Sequence, residues 1–421
     1  MRDRDAGAGG LRVAVLTRAV TPLHGVGGLE RSTFDLVRHL LARGARIELF
    51  TRPATSRDAW VHERLAFHFV PYRTFPGAGR TGTTIIDRST AYPLFGYRLG
   101  RAAAAMAAAG TVDIVYGLGA SVLGYASARR RAPGRTVPLV LNPQGLEEFG
   151  GIDGSYGGRA SKRIGYEPLR RAVRYCAAAA DRVIATDHAL EPMLARALRV
   201  GADRLRLVPN AVDLAVCDAL ASSRDGARVR EQSGLGRNEL VLLSVARLER
   251  NKGLHVLAEA LGSLMDVPWR WVVVGDGPFR RALEDRVTRL GLGGRTILAG
   301  RLQDGALHAW YEAASLFVHP TLYEGSSLVT LEAMAHRRAV VATTAGGLPD
   351  KVQEGRTGWL APPADPAALA RALRIALADP SRLATMGNAG RALVEAEFSW
   401  ERSADRMLAV FRELLKGARS A

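Results

Sequence analysis

His319-Pro-Thr-Leu-Tyr-Glu324-Gly-Ser-Ser-Leu-Val-Thr-Leu-Glu332-Ala-Met is the stretch on which the reading of the whole chain turns. Its carboxylates, Glu324 and Glu332, stand eight positions apart, with Gly325, Ser326 and Ser327 just after the first. An apolar run at 316–318 precedes them and a helix-like run at 328–338 follows. A strand that ends in a small-residue turn and opens a helix aims free backbone N–H groups and a positive dipole end at whatever docks there. Glu324 would stand at that mouth, and Glu332 about two turns down the helix. Carboxylates accept hydrogen bonds from hydroxyls, so the pattern fits a polyhydroxylated anion such as a sugar nucleotide. The same pair also fits a general acid and base for glycoside hydrolysis.

Outward from this stretch, the chain alternates strand-like and helix-like segments. Residues 11–17, 46–51, 67–70, 114–116, 138–141 and 182–186 read as strands, with helices at 29–42 and over the alanine-rich 101–109. A polar, weakly patterned stretch follows at 214–237. The alternation then restarts with strands at 240–245, 271–274, 296–298, 316–318 and 339–342 and a helix at 253–264. Strands separated by helices imply parallel βαβ units and open doubly wound sheets. At 421 residues the chain is too long for one ordinary core. The expected division is 1–213, 214–397 and a last amphipathic helix within 398–421.

Composition excludes several classes. No apolar run approaches the ~20 residues that span a bilayer, and the first ten residues lack a hydrophobic signal core. The two cysteines, Cys176 and Cys217, fall in no CxxC or Cys/His spacing, which argues against structural zinc and fits a reducing cytosol. The net charge of +17 is concentrated in residues 1–200, where Lys and Arg outnumber Asp and Glu by 29 to 16. That excess points to an anionic partner of the first half, or to a bias toward arginine. Arg129, Arg130, Arg131 and Arg135, the segment 159–163, and Arg170, Arg171 and Arg174 are the candidates for an anionic membrane surface. Nucleic acid is not expected, because no binding motif accompanies the charge.

Other segments carry chemistry. Arg247 follows the strand 240–245, and Lys252 and Gly253 open the next helix; two cations at a strand's C-terminal end can grip phosphate. Gly275-Asp-Gly-Pro278 is a strand ending in a glycine turn without the third glycine of a dinucleotide fingerprint. Gly25, Gly27 and Gly28 lie between the first strand and first helix, where backbone can approach a ligand. The one Asp-x-Asp, Asp3 to Asp5, sits in the N-terminal tail, so no metal–diphosphate site is expected. No HExxH or GxSxG motif is present.

Together these motifs resemble the retaining glycosyltransferases of family 4 (glycosyl transferases group 1), which have the GT-B fold. That fold is α/β, with two Rossmann-like doubly wound domains facing across a cleft and a C-terminal helix crossing back. The resemblance rests on Gly27-Gly-Leu-Glu30, Pro209-Asn210-Ala-Val-Asp213, Arg247 with Lys252, Gly275-Asp-Gly-Pro278, Glu324 with Glu332, and Gly346-Gly-Leu-Pro-Asp350 with Gly355-Arg-Thr-Gly358. It implies a cytoplasmic enzyme, able to sit at the inner face of the plasma membrane, that moves a sugar from a UDP- or GDP-linked donor to a saccharide, lipid-linked or small hydroxyl acceptor. No cofactor and no metal are implied. Glu324, Arg247 and Lys252 would carry catalysis, the two cations on the diphosphate and Glu324 facing the sugar. Glu332 would bind ribose, and the amides of Ser326, Ser327 and Leu328 sugar hydroxyls. Leu302 would meet the base, and Gly27, Gly28, Asn210 and Gly275 would line the donor.

The chain departs from the family at Ala211, at Ser326 and Ser327, and at Gln144, which stands where many members have a donor-contacting histidine. Gln144 can hydrogen-bond but cannot titrate near neutral pH. A nucleotide-sugar 2-epimerase of the same fold and a donor-binding relative without activity remain open readings.

Overall fold

The computed structural model describes residues 10–25, 27–54, 60–74, 81–132, 134, 136–143, 149, 164–236 and 238–420. Two compact units emerge: residues 1–210 with 400–421, and residues 211–399. The chain thus passes between units after Asn210 and after Ser399, where the sequence placed the divisions after Asp213 and residue 397. Local bonding accounts for the shift. Val212 N–H donates to the Phe398 carbonyl, and Asp213 caps the helix Leu214–Leu220 by accepting from Val216 N–H at 3.0 Å, so these residues belong to the second unit.

In the first unit, seven parallel strands stand in the order β3-β2-β1-β4-β5-β6-β7. They are β1 (Arg12–Leu16), β2 (Arg46–Thr51), β3 (Leu65–Phe69), β4 (Ile114–Leu118), β5 (Leu139–Asn142), β6 (Arg182–Ala185) and β7 (Leu205–Leu207). In the second, six parallel strands run β10-β9-β8-β11-β12-β13. These are β8 (Val241–Val245), β9 (Arg270–Val274), β10 (Thr296–Gly300), β11 (Leu316–His319), β12 (Ala339–Thr343) and β13 (Gly358–Ala361). Continuous apolar runs such as Val13 to Leu16 and Val340 to Ala342 are fully buried, as strands covered by helices on both faces must be. Each sheet reverses its winding beside its first strand, between β1 and β4 and between β8 and β11. Open α/β sheets bind ligands outside the strand ends at that reversal.

Two differences from the sequence reading have local causes. The stretch 214–237 is helical over Leu214–Leu220 and Ser223–Gln232, the second started by a capping box between Ser222 and Asp225. Its polar surface hides an apolar stripe too short to read by period. The short β7 and β13 were not expected, because three and four residues are too few to show a pattern.

The last helix, Trp400–Ser420, packs on the first unit. Arg43 bonds Asp405 and the Glu401 carbonyl, Ser403 donates to the Pro209 carbonyl at 2.7 Å, and Glu413 takes Arg182 and Arg206 together. The hydrogen bonds from Arg206 and Arg182 hold the Glu413 carboxyl down at about 2, from an ordinary 4.5. A depressed carboxyl contributes stability above its unfolded value and loses it as pH falls toward the folded one. Glu413→Gln should therefore lower Tm at neutral pH, with the gap to wild type closing between about 4.5 and about 2. Thermal melts across that range check it; a gap independent of pH contradicts it. Among the described residues no helix is long and apolar enough to cross a membrane.

Candidate functional site

In the second unit the two loops at the winding reversal are stitched together. After β8 the chain makes a single tight turn, Arg250–Lys252, and Gly253 enters the helix Leu254–Gly262 in the left-handed conformation at φ 68°. After β11 it runs through 320–327 into the helix Leu328–Ala335. Leu322 N–H donates to the Asn251 carbonyl at 2.7 Å, the Thr321 hydroxyl reaches the same carbonyl, and Thr343 Oγ1 donates to the Thr321 carbonyl at 2.6 Å. Gly253 is required here: a Cβ on it would lie 1.8 Å from the Pro320 carbonyl oxygen.

This stitching brings Lys252 and Glu324 into contact. Lys252 Nζ donates to Glu324 Oε2 at 2.9 Å, and His319 Nε2 meets the same oxygen at 2.8 Å. Burial by itself would raise the Glu324 carboxyl, but the Lys252 charge with the hydrogen bond and charge of His319 outweighs it, and the carboxyl is held far below the usual range. Glu324 is therefore a fixed anion. Ser326 Oγ, two residues on, is buried with no hydrogen-bond partner among the described residues. Ser327 Oγ is taken up in capping the helix, accepting from Thr330 N–H, which leaves the backbone N–H of Leu328 at the helix's first position.

Glu332 lies on that helix, 5% exposed, and its Oε2 accepts from the Tyr311 hydroxyl at 2.9 Å. Tyr311 belongs to the helix Asp304–Ala313 and is fully buried. Gly346, at φ 59°, packs so closely that a Cβ would lie 1.8 Å from the Glu324 carbonyl oxygen, and Gly347 N–H donates to the Gly325 carbonyl. Gly275 is held against the turn after β8: its N–H bonds the Gly300 carbonyl, and a Cβ would meet the Ala246 oxygen at 1.9 Å. Leu302, half-buried, follows β10 before the helix Asp304–Ala313.

Arg247 stands apart from the Lys252–Glu324 contact. Its side chain is 72% exposed and pairs with Glu249. Gly27, Gly28 and Asn210 lie in the first unit, with Gly27 just ahead of the helix Gly28–Ala42 and Asn210 beyond β7. Gln144 lies outside the described residues. His319 and Tyr311 were missed in the sequence. A histidine beside the first carboxylate stood in the quoted stretch, but only the fold turns its ring onto Glu324; Tyr311 gave no signal apart from its helix.

Beside the β1–β4 reversal of the first unit lies a polar cluster. Tyr72 donates to Asp87 at 2.5 Å, Arg18 stacks over Tyr92 at 5.3 Å, and Arg52 is half-buried with its Nε lacking a hydrogen-bond partner among the described residues. Burial and the neighbouring Arg18 charge lower the Arg52 guanidinium. His24 bonds the backbone of Val20 and Arg52 through its two ring nitrogens, which makes it a brace of its loop.

The family model for glycosyltransferase family 4 matches residues 26–216, and that for glycosyl transferases group 1 matches residues 226–393. The chain is 30% identical to D-inositol 3-phosphate glycosyltransferase 1 of Catenulispora acidiphila over 97% of each chain. It is 32% identical to the lipopolysaccharide core biosynthesis mannosyltransferase LpcC of Rhizobium leguminosarum bv. viciae over 51% of this chain and 61% of the relative. Among solved structures, sucrose-phosphate synthase from Thermosynechococcus elongatus superposes with a TM-score of 0.73 at 24% identity, covering 97% of this chain and 100% of the other. HepE of Anabaena in complex with UDP gives 0.72 at 22% identity, over 96% and 100%. With both halves matched in order and the likeness running the whole length, the chain belongs to glycosyltransferase family 4 and is a glycosyltransferase of the GT-B fold.

Proposed function

We propose that the protein transfers a sugar from a nucleoside diphosphate donor to a hydroxyl acceptor with retention of configuration and without a metal ion. The observation that carries this is the fixed anion Glu324, held by Lys252 and His319 at the winding reversal of the second sheet. A glycosidase general acid needs a raised carboxyl. Glu324 is pushed the other way, so it suits hydroxyl and charge binding and not proton donation.

Each residue then has a part. Lys252, shared between Glu324 and the diphosphate, and the exposed Arg247 neutralise the leaving group, helped by the first amides of the helix Leu328–Ala335. The Ser326 hydroxyl, without a partner among the described residues, and the Leu328 amide meet sugar hydroxyls, Glu332 meets the ribose, and Leu302 the base. In the transfer the anomeric carbon–oxygen bond to the diphosphate breaks. The acceptor oxygen bonds that carbon from the same face, and its proton passes to the departing phosphate oxygen. No protein base is needed, which agrees with a site whose carboxylates are both already hydrogen-bonded.

For the acceptor, the cluster of Arg18, Arg52, Tyr72 and Asp87 favours a polyol carrying an anionic group. The curated relative named for inositol 3-phosphate is of that kind. Membrane docking draws less support, because Arg129 is bonded to Asp181, Arg174 to the Ala197 carbonyl, and Arg170 and Arg171 pair with Glu167, which leaves Arg130 and Arg131 as the exposed candidates among the described residues. Arg135 and the segment 159–163 lie outside the described residues. A screen of UDP- and GDP-sugars against polyol and polyol-phosphate acceptors, with chelator present, tests the reading by the anomeric configuration of the product. A retained product at an undiminished rate is expected. An inverted product, a rate abolished by chelator and restored by magnesium or manganese, or an acceptor-independent 2-epimer of the donor overturns it.

A further inference from the structure

Behind Glu332, on the far side of Tyr311, three residues far apart in sequence converge. Cys217 comes from the helix Leu214–Leu220, His308 from Asp304–Ala313, and His336 from the end of Leu328–Ala335. Their ligand atoms all lie within 4.8 Å of one another, and the residues are 1%, 0% and 3% exposed. We propose that Cys217, His308 and His336 form a buried three-ligand site for a transition-metal ion of the zinc type.

The chemistry of the set selects the ion. One thiol and two imidazoles suit zinc, and exclude magnesium and calcium, which take oxygen ligands. His336 carries the outer partner that metal-bound histidines commonly have: its Nδ1 donates to Glu312 Oε1 at 2.6 Å, which fixes the ring and leaves the Nε2 lone pair facing His308. Glu312 is itself anchored by Arg338 at 3.6 Å. Loading brings in a dication and expels the Cys217 thiol proton, a net gain of one positive charge, and the Glu312 carboxylate behind His336 is the anion that faces it.

In the metal-free arrangement His308 Nδ1 and His336 Nε2 share a proton across 2.7 Å. Loading replaces it. The shared proton moves to the other nitrogen of His308, the Cys217 thiol proton leaves to solvent, and the two nitrogens separate to about 3.3 Å, the spacing that tetrahedral zinc–nitrogen bonds of ~2.0–2.1 Å require. Three protein ligands leave one coordination position. The ion would tie the helix Leu214–Leu220 to the two helices that carry Tyr311 and Glu332. Tyr311 stacks on His336 at 5.5 Å and 8°, so the site stiffens the wall behind Glu332 without touching substrate.

The test is metal analysis of the full chain purified from zinc-supplemented growth, followed by cobalt exchange. Near-stoichiometric zinc and a thiolate-to-cobalt charge-transfer band are expected. Cys217→Ser and His308→Gln should lose both, while Cys176→Ser, at the other buried cysteine, keeps both. Zinc should raise Tm in wild type and leave Cys217→Ser unmoved. A folded wild-type chain that retains no zinc and gives no cobalt–thiolate band overturns the proposal, even if every variant fails to fold. Sugar transfer in the presence of chelator is a separate readout and does not decide it.

Discussion

Replacing Glu324 by Gln lowers kcat/KM for sugar transfer by about 10²–10³-fold, the range seen when one fixed electrostatic group is removed from a reaction centre. The amide keeps the size of the side chain and removes the charge that both Lys252 at 2.9 Å and His319 at 2.8 Å are arranged around. Lys252 is then free to turn toward solvent or to bind the diphosphate in its ground state. Donor affinity should therefore change little and the loss should appear mainly in kcat. The pH dependence has a definite sign. Because the carboxyl is depressed in the folded protein, its contribution to stability is complete above the ordinary carboxylate range and is lost only as pH falls below it. The stability difference between wild type and Glu324→Gln should be flat through neutral pH and shrink on the acid side. Steady-state kinetics with urea melts at several pH values measure both; wild-type turnover in the variant sinks the assignment.

Gly253→Ala should be the most damaging small change in the second unit. The residue sits at φ 68°, and its Cβ would fall 1.8 Å from the Pro320 oxygen and 2.8 Å from the Pro320 carbonyl carbon. The left-handed conformation alone costs about 1–2 kcal/mol for an L side chain. The collision adds the cost of moving backbone, for a total of about 3–4 kcal/mol. The movement also pulls the 320–324 loop from Asn251 and so unseats both Lys252 and Glu324, removing activity at temperatures where the variant is still folded. Gly291→Ala is the control. It has almost the same φ, 69°, but nothing lies within 4 Å of its Cβ, so only the conformational cost applies. Calorimetry should show a clear gap in Tm between the two variants. Equal melting temperatures would mean that the close approach to Pro320 yields at no cost.

The alternation of apolar runs with helical segments was enough to find most strands, because strands buried on both faces are written as continuous Val, Leu, Ile and Ala. It failed where an element is short, as at Gly358–Ala361, or where burial is partial. The strand at Leu205–Leu207 is flanked and interrupted by arginine, and the helices within 214–237 show solvent a polar face, including Arg224, Arg228 and Glu231.

The site followed the same logic. The places of Glu324, Lys252 and Glu332 on loop and helix could be read because a strand, a glycine and a helix start fix backbone positions locally. What each side chain touches was not. His319, Tyr311 and the convergence of Cys217 with His308 and His336 arise from packing between distant segments, and no spacing in the chain encodes them. Arg247 shows the reverse case: its position after β8 is as read, but its side chain points to solvent and pairs with Glu249.

The account's central claim is that the loops after β8 and β11 hold a nucleoside diphosphate sugar. A crystal structure of the chain with UDP or GDP tests it most directly. The predicted result has the ribose hydroxyls on Glu332, the distal phosphate within hydrogen-bond reach of Lys252 Nζ, and Glu324 still paired with His319. A nucleotide bound with Lys252 and Glu332 untouched, or with protonated Glu324 on the bridging phosphate oxygen, would contradict it.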